Sequence, residues 1–482
     1  MKKLFLSALL LACMCQVKAQ SAASFDLTFE PHTFKSSEGQ EVQAELGTFY
    51  VRENRSVAGS RKIKLAFIRF KCTGSRPGSP IVYLAGGPGG AGTFTAKGSR
   101  FGVFMAMREF GDVIAFDQRG TGMSEQLETC APGQYLDFSK PGNQDDMIRV
   151  VRENFKNCIS FWKQKGIDPT AYNNNESADD IDDLRKALGA AKITLWGISY
   201  GTQLAFSYVK RHEAQTDKLI LAALEATGDN IKRPSYADHM IENAETALKA
   251  DLAASAFPPL RELMRSVLDK LEKNPASVVI KDRKGADITV GISKFDVQLI
   301  TSFFLLKNPS DLRRLPLFYQ KMKNDDYREI AQMVFDLKSY GSSSRFYGMG
   351  LLMDAMTGVS AEQMKLVNQE VPASLVGRAT NFPFPDIAEG SGLPDLGDEY
   401  RQDVKSNVPG LFLSGTLDGR TFMEDATRIA GKFRNVRDVI VVNGGHDLFE
   451  QSPKVQELIV DYMRSKSIPT EIQLDHVQFA TK

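Results

Sequence analysis

The stretch KITLWGISYGTQLAFSY, residues 192–208, decides how this chain is to be read. Ile193, Thr194, Leu195 and Trp196 are β-branched or apolar and predict a short buried strand. Gly197-Ile198-Ser199-Tyr200-Gly201 then matches G-x-S-x-G, and Leu204, Ala205 and Tyr208 recur beyond it at helical spacing. Strand, sharp turn, helix is the context in which that pentapeptide lifts a serine hydroxyl clear of a sheet. The two glycines let the backbone turn tightly without a Cβ clash. The helix N-terminus behind the serine brings free N–H groups and a partial positive charge. The bare pattern recurs by chance in unrelated chains, so the flanking strand and helix carry the reading.

On the N-terminal side, residues 24–72 alternate in character, most clearly in KIKLAFIRF at 62–70, which predicts the last strand of an antiparallel lead-in. Residues 81–85 form an apolar strand that runs into Gly86-Gly87-Pro88-Gly89-Gly90-Ala91-Gly92. Two readings compete for that loop. Gly87, Gly89 and Gly92 satisfy G-x-G-x-x-G with Asp117 further on, as a dinucleotide site would. Pro88 inside the turn and the serine downstream favour instead a loop whose backbone gives an N–H to a developing oxyanion. A strand over 112–116 leads into DQRGTGMS at 117–124, which reads as a fixed structural turn. Residues 143–165 have helical periodicity. Ser177 is expected to cap a helix through Asp179, Asp180, Asp182, Asp183 and Leu188. Four acids in a first turn read as a solvated, dipole-matched face rather than a metal site, because no His or Cys lies among them.

On the C-terminal side, a strand over 218–224 ends at Glu225. Residues 226–400 then change character: helical segments at 237–250 and 260–271 alternate with loops rich in Pro, Lys and Asp, and the clearest strand signal is a hairpin at 277–292 around Lys284-Gly285. Such a block reads as an insertion that could cover a site. Strands resume at 410–415 and 438–442, separated by a helix over 424–433 and followed by one over 455–463. Alternating strands and helices imply an α/β fold with a mostly parallel sheet and chemistry on the loops at its C-terminal edge.

Three residues fall just after predicted strands: Ser199, Asp418 in Thr416-Leu417-Asp418-Gly419, and His446 after Gly444-Gly445. A serine hydroxyl needs an imidazole to take its proton, and the imidazole needs a carboxylate to fix its tautomer and stabilise its charge. The order Ser, Asp, His is the one that serine hydrolases on parallel sheets use. The chain has five histidines, and the other four lie near the termini or outside the strand-end pattern. Glu225 rivals Asp418 as the acid, but Asp418 ends the strand just before that of His446.

With 482 residues the chain can hold one large domain plus an insertion, or two domains. Its 42% hydrophobic and 25% charged residues are ordinary for a soluble globular protein, and a net charge of +1 gives no sign of a nucleic-acid partner. Lys2 and Lys3, an apolar run at 4–12 and Val17-Lys18-Ala19 predict a signal peptide over 1–19, cleaved before Gln20. The apolar run is too short to span a membrane. Leu10-Leu11-Ala12-Cys13 offers the competing reading, a lipoprotein signal with a lipid anchor at Cys13. Either way the destination is periplasmic or extracellular, and oxidising. After cleavage Cys72, Cys130 and Cys158 remain, and a disulfide between Cys130 and Cys158 is expected against the alternative of three thiols.

The elbow GISYG, the loop GGPGG, the turn DQRGTGMSE, and SGTLDGRT and GGH near the C-terminus together resemble α/β-hydrolase-fold serine peptidases, nearest the prolyl and tripeptidyl aminopeptidase group. The resemblance covers residues 60–225 and 405–465 and implies an α/β-hydrolase fold with an inserted, mainly helical cap. The organisation expected is a core over 20–225, a cap over 226–400 and the rest of the core over 401–482. The resemblance implies release of N-terminal residues or short peptides from a peptide substrate, with Ser199 as nucleophile, Asp418 as acid, His446 as base, and the N–H groups of Gly87 and Tyr200 as oxyanion hole. No cofactor or metal is expected. Ala85 stands where prolyl aminopeptidases often have histidine, which leaves proline preference open. Glu225, on the ligand-binding edge of the sheet, is read as an anchor for the substrate ammonium; the competing reading has it cap a helix or pair with an arginine such as Arg233. An esterase or other acyl hydrolase, and a non-catalytic binding module on the same fold, remain alternatives.

Overall fold

The computed structural model describes residues 26–482; the signal-peptide and Cys13 readings lie outside the described residues. The strands in chain order are β1 (Thr28–Lys35), β2 (Glu41–Arg52), β3 (Lys62–Phe70), β4 (Ile81–Leu84), β5 (Val113–Asp117), β6 (Ile193–Ile198), β7 (Thr216–Ala222), β8 (Ala276–Lys281), β9 (Asp287–Ile292), β10 (Gly410–Gly415), β11 (Val436–Val442) and β12 (Glu471–Gln473). Ten of them form one sheet in the order β1-β2-β3-β5-β4-β6-β7-β10-β11-β12. The lead-in β1, β2 and β3 is antiparallel. From β5 to β12 every neighbouring pair is parallel. The fold is therefore the α/β architecture that the alternating pattern implies.

β6 lies inside the sheet, and all of its residues are buried. Alternation along the strands separates two cores. Val82, Leu84 and Leu195 face one of them. Ile81, Tyr83, Trp196 and Ile198 face the other. There Tyr83, Phe104 and Trp196 pack with ring centroids 4.7 to 4.9 Å apart, aromatic contacts that contribute beyond their buried area.

Between β7 and β10 the chain leaves the sheet. Helices Pro234–Ala250, Leu260–Lys273, Leu315–Lys323 and Arg328–Gly341 enclose an apolar cluster of their own, with Ile241, Leu263, Met264 and Phe318 at its centre. The hairpin is present as β8 and β9, with Gly285 in its turn at φ 84°. Helix Met349–Thr357 instead packs its Leu352, Met353 and Met356 into the core beneath the sheet.

Three local expectations need correction. The acidic helix starts earlier, at Asn174–Ala187, and its cap is Asn173, whose side chain accepts from Glu176 N; Ser177 is inside it. Its acids are consequently beyond the first turn, and they form ion pairs rather than a solvated face. Asp180 is buried and bonds to both Arg55 and Arg119. Asp182 meets Arg185 and Lys186, and Asp179 meets Arg211 and His212. The second correction concerns β7, which stops at Ala222, so Glu225 lies three residues past the strand. The third is that Arg233 pairs with Glu370 and not with Glu225.

The turn at 117–124 is structural, as expected. Asp117 is buried and accepts from Thr93 N, Thr93 Oγ1 and Met123 N at 2.7 to 2.9 Å. It thereby ties the glycine loop to the turn, and its oxygens are committed to that task rather than to a ribose. Gln118 Nε2 donates to Ala85 O. Arg119 is fully buried and donates to Glu53 O, Ala171 O and Asp180. Cys130 is bonded to Cys158 on the helix Gln144–Gln164, closing a loop across a sequence separation of 28, while Cys72 is a free thiol. A loop of that size stabilises by about 3–4 kcal/mol in the chain-entropy picture. Among the described residues no helix is long and apolar enough to cross a membrane.

Replacing Arg119 by Met leaves Asp180 and two carbonyls short of a buried donor. Removing one partner of a buried pair costs about 3–5 kcal/mol, so chemical denaturation of Arg119→Met is expected to show a loss of that order. A change below about 1 kcal/mol would show that Arg55 alone satisfies Asp180.

Candidate active site

Ser199 follows β6 directly and has φ 57° and ψ −131°. That conformation is strained for a residue with a Cβ. Its N–H donates to Ala222 O and Ala223 O, and Thr202 N and Oγ1 both donate back to its carbonyl at 2.7 Å. The glycines on either side are required by close packing. A Cβ on Gly201 would fall 2.1 Å from Leu84 O, and one on Gly197 2.7 Å from Gly201 O. Gly86 also approaches Ser199 closely, since a Cβ there would stand 3.2 Å from Ser199 Cβ. The N–H groups of Gly87 and Tyr200 are engaged by no protein acceptor among the described residues.

Asp418 follows β10 and His446 follows β11. His446 Nδ1 lies 3.0 and 3.1 Å from the two Asp418 oxygens. The carboxylate also accepts from Arg420 N, Thr421 N and Thr421 Oγ1 at 2.6 to 2.9 Å. Burial by itself would raise the Asp418 pKa, but the His446 charge and the bonds from His446 and Thr421 bring it below the ordinary carboxylate value. Asp418 is thus kept ionised opposite the imidazole. Ser199 and His446 line one cavity of about 480 Å³, without a direct hydrogen bond between them. Catalytic hydrogen bonds are often long before substrate binds.

The segment between β7 and β10 closes over this cavity and grips both loops. A π-helical turn at Thr301–Leu305 presents Phe303 and Phe304 to the cavity. Directly after it, Leu306 O accepts from Gly419 N and Lys307 O from His446 N. Asn308 accepts from Asp447 N and donates to its carboxylate, and Lys307 Nζ lies 2.7 Å from the same group. The two loops that hold Asp418 and His446 are therefore set partly by this covering segment.

The charged lining includes residues that no motif announced. Glu225 is buried, faces the cavity and pairs with Lys232 at 3.1 Å. Its backbone N–H donates to Thr202 Oγ1, which fixes it relative to the elbow. Asp354 also lines the cavity. Burial, and then the charge of Glu225, push its pKa well above the ordinary aspartate value, with Lys232 and Arg420 acting in the opposite direction. Asp354 could have been singled out as the one charge in YGMGLLMDAMTG, residues 347–358. Arg420 sits two residues past Asp418 in SGTLDGRT and could have been singled out there, whereas Phe303 carries no comparable signal, since its place depends on how the covering segment folds back.

Comparison with known proteins agrees with this architecture. The family described as alpha/beta hydrolase fold matches residues 80–256, and the family described as TAP-like protein matches residues 394–474. Serine protease Hip1 of Mycobacterium tuberculosis is 29% identical over 203 residues, 41% of this chain and 39% of that protein. Tripeptidyl aminopeptidase of Streptomyces coelicolor is 32% identical over 159 residues, 31% of this chain and 29% of that protein. Proline iminopeptidase of Xylella fastidiosa is 27% identical over 156 residues, 31% of this chain and 34% of that protein. The matched part spans about two fifths or less of each relative's length.

A raised folded-state pKa means that the folded protein holds a proton at Asp354 which the unfolded chain, titrating near 3.9, has released. Stability therefore falls as pH rises from about 4 towards the folded pKa. Asp354→Asn is expected to have a higher Tm than wild type at pH 7, with the gain shrinking towards pH 4. A lower Tm at pH 7 would show that the carboxylate is favourably paired.

Proposed function

We propose that this chain, an α/β hydrolase in its fold and in the families it matches, is an exported serine aminopeptidase that releases N-terminal residues or short peptides. The observation that carries the reading is the strained Ser199 facing the same cavity as the hydrogen-bonded Asp418–His446 pair. The names of the relatives support peptide rather than simple ester chemistry. The sequence pattern of residues 1–19 and the Cys130–Cys158 bond support export.

In this mechanism Ser199 Oγ attacks the scissile carbonyl carbon and its proton passes to His446. Asp418 holds the imidazole in the required tautomer and stabilises the imidazolium. The negative charge that develops on the carbonyl oxygen is taken by the N–H groups of Gly87 and Tyr200. His446 returns the proton to the departing amine, leaving an acyl-enzyme on Ser199. Water, deprotonated by the same imidazole, then releases the N-terminal product. Glu225 supplies the negative group for a free ammonium. Lys232 offsets part of the Glu225 charge, and a protonated Asp354 adds a carbonyl oxygen that can accept from the ammonium.

Fluorophosphonate labelling of Ser199 and turnover of peptide amides are the direct tests, and simple esters run in parallel separate an esterase. Ser199→Ala is expected to lower kcat by on the order of 10⁴ to 10⁶ with unchanged thermal unfolding. Activity retained in purified Ser199→Ala would reject the assignment, and absence of both labelling and turnover in wild type would favour a binding module.

The exopeptidase claim is checked with one peptide amide bearing either a free or an acetylated N-terminus. Wild type is expected to cleave only the free form well, and Glu225→Gln to lose part of that discrimination. Equal cleavage by wild type defeats the claim; unchanged discrimination in Glu225→Gln spares it and moves the anchor to a residue of the covering segment.

A further inference from the structure

Resting on the serine-hydrolase reading above, we infer that Arg420 binds a carboxylate of the substrate, so that the preferred peptides are acidic close to the bond that is cut. The argument begins with the partners of the cavity's charged groups. Lys232 is paired with Glu225, and Lys307 with Asp447. Arg100 meets Asp447 and Glu450. Arg420 differs from these three cations. It lines the same cavity, yet its guanidinium makes no ion pair among the described residues and donates one long bond, 3.3 Å, to Ser302 O.

A guanidinium has five N–H donors in a planar fork that matches a carboxylate. Phe303 covers one face of this fork at 4.4 Å, which fixes the plane and leaves its edge for further hydrogen bonds. Arg420 is also held at its base, because its own N–H donates to Asp418. A preorganised, largely desolvated cation with spare donors is costly when nothing answers it and binds a matching anion strongly when one arrives. Glu225 and Asp354 do not answer it. Glu225 is committed to Lys232, and Asp354 is disposed to hold a proton, which leaves the Arg420 charge uncompensated. Burial accordingly lowers the Arg420 pKa against the pull of Glu225, Asp418 and Asp354.

Two parts of a peptide could bring the carboxylate: an Asp or Glu side chain beside the scissile bond, or the free C-terminus of a short substrate. Both are covered by comparing kcat/KM within matched peptides. One arm exchanges Glu for Gln at each position flanking the cleaved bond, and the other exchanges a C-terminal acid for its amide. At least one arm is expected to favour the acid by about tenfold or more in wild type, as a single charge-assisted contact would. The preference should fall close to one in Arg420→Met and be partly kept in Arg420→Lys. Fluorophosphonate labelling of both variants verifies that the site has folded.

Acid and neutral substrates cleaved equally by wild type in both arms would overturn the inference while leaving the hydrolase reading intact. So would an acid preference that persists in a labelled Arg420→Met. A wild-type protein that neither labels nor turns over any peptide would overturn the underlying reading and this inference with it.

Discussion

The constraint on which the rest depends is the backbone of Ser199. A conformation of φ 57° and ψ −131° costs a residue with a Cβ on the order of 1–3 kcal/mol, so it persists only where the surroundings leave no alternative. Here they do so from three directions. The serine N–H is held by the end of β7, its carbonyl is held by Thr202, and the helix behind it lies too close to Leu84 O for any side chain at residue 201. The buried strands β4, β6 and β7 form the rigid base against which that strain is kept.

The same economy of space governs the loops around the elbow. Asp117 joins the glycine loop to the turn at 117–124, and Arg119 joins that turn to Asp180 in the helix Asn174–Ala187. That helix presents Asn174, which accepts from Tyr200 OH and donates to Thr357 in the covering segment. A chain of satisfied, buried polar groups therefore leads from the sheet edge through the elbow to the cover. Buried polar networks of this kind define one arrangement well when all members are bonded.

The sheet was legible because its signals are local. Continuous apolar runs such as 193–196 and 410–415 are bounded by glycines, and the three strand-end residues come in a recognisable order. The Cys130–Cys158 pairing was legible because so few cysteines remained. What escaped is what depends on distant segments. Four acids close together look solvated until Arg55 and Arg119 arrive from other parts of the chain. The competing reading of Glu225 offers an arginine such as Arg233 as its partner, but Lys232 points into the cavity while Arg233 turns to Glu370. Asp354 and Phe303 reach the site only through the path of residues 226–400, whose helices carry amphipathic periodicity and no motif. The two matched families likewise stop at 256 and resume at 394.

The grip of the covering segment on the loops of Asp418 and His446 couples the position of the cover to the Asp418–His446 pair. Lys307 O accepts the His446 N–H, and Asn308 holds Asp447 on both its backbone and its side chain. A cover that swung away as a hinged lid would break these bonds and release the loop that aims the imidazole. Loosening the cover and loosening that loop are therefore one event, so the segment acts as a clamp on the imidazole rather than as a free door.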